Sequence, residues 1–265
     1  MAFAKTLMAI QKTAQVNNHS VFTFPYEFNP ELEKQCLLKA LEWQVGGIIT
    51  LGLSPQSQEY LLTTVKNETP LVVIWDVLPQ SSINFIGFDN SKATYQATNF
   101  MISLGHKRIA VVTGPIQDVR VKKRYKGFVQ AMKKAGLPIR EEFCRSGLPT
   151  LEEGEVLGKE LLTRTERPTA IMAASDNMAI GIIKAAKDLN IQVPEELSVC
   201  GFDDIEISRY FSPSLTTVAV PATEIGEKAI DYLLGIMREE SCTLKQLELD
   251  APLIVRESTG PNKGS

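Results

Sequence analysis

Thr169-Ala170-Ile171-Met172-Ala173-Ala174-Ser175-Asp176-Asn177-Met178-Ala179-Ile180-Gly181 changes its period half-way along. Residues 169–173 form a short apolar run, which predicts a buried strand. After Ser175, a residue type suited to capping a helix, Met178, Ile182 and Ala185 share one stripe of a 3.6-residue period, which predicts a helix. Strand, turn, amphipathic helix is half of a βαβ unit.

The same alternation extends in both directions. Further strands are predicted at 21–24, 47–51, 71–75, 108–113, 197–200 and 215–218, most of them followed by a helix, the pattern of a mostly parallel sheet. Asn29-Pro30 and Ser54-Pro55 place a cap before a proline at the first helical position, and Thr150 with Glu153 makes a capping box. The opening helix, about 3–17, carries Phe3, Leu7, Ile10 and Ala14 on one stripe. A parallel lobe ordinarily opens with a strand that becomes central in its sheet, so by this reading the sequence begins one strand late. Residues 260–265 read as a frayed polar tail.

With 265 residues and 44% apolar composition, the chain can bury two lobes of ordinary domain size. Lys and Arg total 28 against 31 Asp and Glu, a net charge of -3, so no overall attraction to phosphate backbones is expected. Cys36, Cys144, Cys200 and Cys242 are scattered with no metal-ligand spacing, and they read as small buried thiols of a reducing compartment. No apolar run long enough for a membrane span and no export signal is legible, which predicts a cytoplasmic protein with no membrane association.

In open parallel sheets ligands bind beyond the carboxyl ends of the strands. The residues following the apolar runs are Gly52 and Ser54, Asp76, Gly114 with Gln117 and Asp118, Ser175-Asp176-Asn177, and Asp203-Asp204. Short carboxylates, amides and hydroxyls there suit a polar ligand, although each can equally cap a helix. The run Arg120-Val121-Lys122-Lys123-Arg124-Tyr125-Lys126 opens a helix. Its lysines read as a solvated face, whereas Arg124 lies near the Gly114 loop, where a guanidinium could fork onto ligand hydroxyls or a carboxylate. Catalysis finds little support. His19 and His106 are the only histidines, His106 reads as a turn residue after a helix end, and adjacent Asp203 and Asp204 point to opposite sides of an extended chain. Phosphate-cradling glycine motifs and metalloprotease or hydrolase signatures are missing. The chain is expected to be no enzyme and to need neither metal nor cofactor.

Several stretches together resemble the lactose and galactose repressor family: Phe88-Asp89-Asn90, Leu104-Gly105-His106-Lys107-Arg108-Ile109-Ala110, Arg124-Tyr125-Lys126-Gly127-Phe128, the opening stretch with Arg167-Pro168 before it, and Val193-Pro194-Glu195-Glu196-Leu197-Ser198-Val199-Cys200-Gly201-Phe202-Asp203-Asp204. Leu215-Thr216-Thr217-Val218 with Pro221 and Leu253-Ile254-Val255-Arg256-Glu257-Ser258-Thr259 complete the match, which runs in order over nearly the whole chain. The resemblance implies an α/β fold of two doubly wound parallel-sheet lobes of the periplasmic-binding-protein type, with the first strand of lobe one not represented. Lobe one would hold 1–104 and 221–246, lobe two 105–220 and 247–262, leaving 263–265 as a tail. It implies a small-molecule effector, a sugar or related polar metabolite, in an interlobe cleft, and operator DNA bound only through a helix-turn-helix that these residues do not resemble. Carried over by position, Arg124 grips the effector and Asp203 accepts from it. Ser175 stands where an Asn is common, Leu148 lies near the place of a stacking ring, and Asp89 and Asp118 complete the candidate set, with helix capping an alternative for Asp89. The family pairs side by side, and Met178, Ile182 and Ala185 are expected in a homodimer interface, unless they form an internal stripe. The alternative function is a solute-binding protein that delivers sugar to a transporter.

Overall fold

A computed structural model describes residues 2–26, 29–54, 57, 69–78, 81, 83–238 and 246–263. Cys242, Pro55 and the last two residues lie outside them. The chain divides into two compact units.

The first unit comprises Met1–Asp89, Gln117–Arg120 and Pro221–Asp250. Its sheet is parallel throughout, in the order β1 (Ile48–Leu51), β2 (Leu71–Ile74), β3 (Asn84–Gly87), β9 (Gln246–Glu248). The continuous apolar character of Val72, Val73 and Ile74 reflects burial on both faces, as parallel sheets require. Helix α1 (Ala2–Val16) lies against α7 (Ala222–Met237), and the approach is close because small residues meet. A Cβ on Gly226 would stand 2.5 Å from the Thr6 carbonyl oxygen. The buried stripe of α1 is therefore Ala2, Thr6, Ala9, Ile10 and Ala14, shifted from the expected one. Phe3 and Leu7 are half-buried and line a cavity instead. Asn29 caps α2 (Pro30–Glu42) as expected, accepting from the N–H groups of Glu31 and Leu32.

The strand predicted at 21–24 does not form. Among the described residues the backbone of 20–24 makes no hydrogen bond, and β1 is paired on one edge only, by β2. The segment has strand-like composition, but a strand needs a neighbour, and the neighbouring space is a cavity of about 920 Å³ lined by both 19–26 and 46–51.

The second unit comprises Asn90–Ile116, Val121–Val220 and Ala251–Ser265. Its six-stranded sheet runs β10 (Leu253–Ile254), β8 (Thr216–Ala219), β7 (Ser198–Asp203), β6 (Ala170–Ala173), β4 (Ile109–Thr113), β5 (Cys144–Ser146), with only β10 antiparallel. Helix α3 (Asn90–Ser103), assigned by sequence to lobe one, packs on β6, β8 and β10 of this sheet, so the first crossing falls at 89/90 rather than at 104/105. Gly105, at φ +88°, ends α3, and His106, directly after that turn as expected, is a buried tie. One ring nitrogen faces the Thr169 hydroxyl at 3.0 Å, the other Ser198 Oγ at 2.9 Å and the Gly260 carbonyl at 3.0 Å. Burial holds its pKa below the usual histidine value.

Helices α5 (Leu151–Leu162) and α6 (Asp176–Asp188) pack on one another through glycines: a Cβ on Gly181 would collide with the Leu151 carbonyl, and one on Gly154 with that of Met178. Met178, Ile182 and Ala185 are fully buried in the apolar core of this unit. They belong to that core and not to a subunit interface, because no part of these side chains reaches the surface. Of the cysteines, Cys200 is buried as expected, whereas Cys36 and Cys144 are partly exposed.

Candidate functional site

Helix α4 (Val119–Lys134) follows β4 across the Gly114 loop and brings Arg124 to the carboxyl edge of the six-stranded sheet. Gly127 makes this possible, since a Cβ there would stand 2.1 Å from the Ser91 carbonyl oxygen, so α4 can lie against the start of α3. Arg124 Nε donates to Asn90 Oδ1 at 2.9 Å, and Nη1 donates to the Ala174 carbonyl at 2.9 Å. Its guanidinium carbon lies 3.7 Å from the centroid of the Phe202 ring. The ends of β6 and β7, the start of α3 and an aromatic face thus fix a planar cation in one pose.

Asp203 follows Phe202 at the same edge, half-buried, with φ +118°, and Asp204 has φ +50°. Two consecutive non-glycine residues with positive φ cost about 1–3 kcal/mol each and persist where the surroundings enforce them, commonly at ligand-binding turns. Asp204 is occupied structurally: it accepts from Arg256 at 2.6 Å and faces Arg209 at 3.4 Å. Ser175 is a helix cap, its hydroxyl accepting from the Met178 N–H at 3.3 Å, with 6% of the residue exposed. Asp176 is buried and accepts from the hydroxyls of Ser208 and Thr217 and from the Ile205 N–H. Burial pushes its pKa up to about 6 against these three donors, which hold it down. Leu148, beyond β5, is 57% exposed.

The remaining candidates lie in the first unit, with Asp89 half-buried at its chain boundary before α3. Asp118 is engaged by Arg120, accepting from its backbone N–H at 2.8 Å, from Nε at 3.0 Å and from Nη2 at 2.5 Å. Arg120 is buried 5.3 Å from the centroid of the Phe3 ring. Burial works against its charge, and the Asp118 carboxylate more than restores it, so its pKa is raised. Within the basic run, Lys122 and Lys126 are exposed as a solvated face should be, but Arg120 is not part of it. The structure brings Arg124 together with three groups that residue-by-residue reading passed over, Asn90, the Ala174 carbonyl and Phe202. The signal for Asn90 was present beside Asp89, at the amino end of a predicted helix.

A family model described as a periplasmic binding protein-like domain matches residues 98–259. The HTH-type transcriptional repressor CytR of Escherichia coli (strain K12) is 30% identical over 257 residues, 97% of this chain and 75% of that protein. The chain belongs to the lactose/galactose repressor family. Catabolite control protein A of Priestia megaterium is 29% identical over 258 residues, covering 97% of this chain and 77% of that protein. Among solved structures, the transcription regulator CcpA of Lactococcus lactis superposes with a TM-score of 0.82 at 27% identity, over 97% of this chain and 94% of that one. The chain is thus the effector-binding core of a repressor of this family, and the relatives it matches are transcriptional regulators rather than enzymes. Among the described residues no group of His, Cys, Asp or Glu is placed to hold a metal ion, and no helix is long and apolar enough to cross a membrane.

Proposed function

We propose that this core senses a small polar effector, a sugar or related metabolite, at the carboxyl edge of the six-stranded sheet. Arg124 is the anchor, forking onto hydroxyls or a carboxylate, and Asp203 is the acceptor whose strained backbone holds it at the same edge. In this reading Leu148 supplies an apolar wall in place of a stacking ring, while Ser175 serves the site by capping α6. Asp118 and Asp89 contribute through the local order they impose on Arg120 and on the start of α3. The reading rests on one observation above the others: Arg124 is preorganised by Asn90, Ala174 and Phe202 before any ligand arrives. Effector occupancy is coupled to operator DNA through a helix-turn-helix of the regulator, in a homodimer, in the cytoplasm. A solved relative described as a sugar-binding transcriptional regulator of the same family, from Escherichia coli and complexed with phosphate, is 26% identical with a TM-score of 0.83, which favours a ligand rich in oxygen.

A thermal-shift screen of hexoses, pentoses, sugar acids, sugar phosphates, nucleosides and purines tests the reading, since a ligand at 100 times its Kd stabilises the fold by about 2.7 kcal/mol. A hit whose shift vanishes in Arg124→Ala supports it. Hits that are indifferent to both Arg124→Ala and Asp203→Asn reject this edge as the site.

A further inference from the structure

Asp176 is wholly buried at the first position of α6, yet among the described residues no hydrogen bond to its carboxylate comes from that helix. An acid in a first turn ordinarily serves the free N–H groups of its own helix. Here Ser175 caps α6 instead, and the carboxylate reaches two other segments of the second unit. Oδ2 accepts from the Ile205 N–H at 2.8 Å and from the Ser208 hydroxyl at 2.7 Å, both in the loop that leaves β7. Oδ1 accepts from the Thr217 hydroxyl of β8 at 2.5 Å, and Thr217 Oγ1 accepts in turn from the Asp204 N–H at 3.4 Å. The two N–H groups that follow Asp203 are thus both held by one cluster centred on Asp176. Gly201 admits the carboxylate, because a Cβ there would collide with Oδ1.

The cluster sits where the backbone is strained. Asp203 at φ +118° and Asp204 at φ +50° hold conformations that residues with a Cβ abandon unless their surroundings forbid it. Relaxing either torsion would turn the Ile205 N–H away from Oδ2 and leave a buried carboxylate short of a donor. The Arg256 guanidinium also reaches this turn, at 2.6 Å from Asp204, but it fixes a side chain rather than the main chain. Burial pushes the Asp176 pKa up to about 6, so the ion is kept in the core at a cost.

We propose that Asp176 is a positioning residue of the effector site: it locks the Asp203–Asp204 turn in its positive-φ form and so aims the Asp203 carboxylate, an assignment that rests on Asp203 being the effector's acceptor. Asp176 touches no ligand itself, since it is fully buried. It acts through the main chain of 203–205, and Thr217 is its second arm.

Amide hydrogen exchange and carbon chemical shifts, followed by NMR on the 265-residue protein with no effector added, test the lock. At about pH 7.5, where Asp176 is ionised, the parent should protect the Ile205 N–H. In Asp176→Ala that N–H should exchange about tenfold faster or more, as loss of a charged acceptor implies, and the Cα shifts of Asp203 and Asp204 should move toward those of extended chain. Asp176→Asn keeps one acceptor oxygen, so it should recover most of the protection. The N–H groups of Val199 and Ala174, which donate to the Ser258 and Val112 carbonyls in the same unit, should change by no more than about twofold. Thr217→Val should expose the Asp204 N–H, and Thr217→Ser, which keeps the hydroxyl, should restore it. An Ile205 N–H that is unprotected in the parent or unchanged in Asp176→Ala, unmoved shifts at 203 and 204, or an equal loss at Val199 and Ala174 overturns the proposal. Should Asp176→Ala fail to fold, the two Thr217 variants decide by the same readouts. No effector is involved, so failure here leaves Arg124 and Asp203 as candidates, whereas screening hits indifferent to both reject the site and leave the lock standing.

Discussion

Arg120 and Arg124 lie one turn apart on α4 and are held in opposite ways. Arg120 is almost wholly buried, and its charge is cancelled by Asp118 two residues before it, while Nη1 has no hydrogen-bond partner among the described residues. Arg124 is half-buried, and an amide, a main-chain carbonyl and an aromatic face fix its plane. The first arrangement is a structural clamp, costly to break and of little use to a ligand. The second fixes the plane of a guanidinium by hydrogen bonds and a ring face, the geometry that planar recognition of hydroxyls or carboxylates uses. Two arginines of one basic run therefore differ in environment because of their partners rather than their residue type.

Four measurements would break or sharpen that contrast. Asp118→Ala, which leaves Arg120 as an unpaired buried charge, should lose about 3–5 kcal/mol in urea unfolding. A loss below about 1 kcal/mol would show that the clamp is unimportant. Arg124→Ala should weaken effector binding by about 2 kcal/mol, roughly 30-fold, in calorimetric titration, with a smaller change in the unfolding midpoint. Unchanged affinity would reduce Arg124 to another structural arginine. Asn90→Ala, which frees the guanidinium to turn, should cost about 1–1.5 kcal/mol of the same affinity. An effect on stability alone would make Asn90 a cap and nothing more.

The smallest effect is a pH dependence, and it tests the buried carboxylate packed against Gly201 of β7. Asp176 has a pKa raised to about 6, so the folded state binds its proton more tightly than the unfolded chain does. That contribution is present at low pH and lost as pH rises through 6, giving a gain of about 1 kcal/mol between pH 7 and pH 5. His106 runs the other way: its folded pKa is depressed, so its contribution is present above the ordinary value of 6.5 and lost as pH falls below it. Asp176→Asn should remove the gain and leave the loss, so acidification from pH 7 to 5 should lower the urea midpoint of the variant more than that of the parent. Parallel midpoints would mean that Asp176 stays ionised throughout.

Comparing the two sheets shows how far composition carries. Every strand of the six-stranded sheet predicted from an apolar run formed within a residue or two, except β7, whose run ends at 200 while its strand continues to Asp203. The short strands β5 and β10 were not seen, because three and two residues carry too little pattern. In the four-stranded sheet the run at 21–24 is as apolar as its counterparts and still forms no strand. Polar residues show the same division. That Ser175, Asp176, Asp203 and Asp204 would cluster near strand ends was legible. Their division into a cap, a buried acceptor, a strained candidate ligand and an ion-pair member was not, because each depends on donors far away in sequence, such as Thr217 and Arg256.

The sequence by itself determined the alternation of strand and helix, the parallel sheets and the family, and it singled out Arg124 as a candidate, because periodicity, caps and short motifs are local and survive in one dimension. The tertiary structure decided that Met178, Ile182 and Ala185 are core, that α3 joins the second unit, that Arg120 is clamped, and that 21–24 faces a gap instead of a neighbour. Those outcomes turn on what lies across a space from each residue, and burial, pairing and charge cancellation exist only once two distant segments meet.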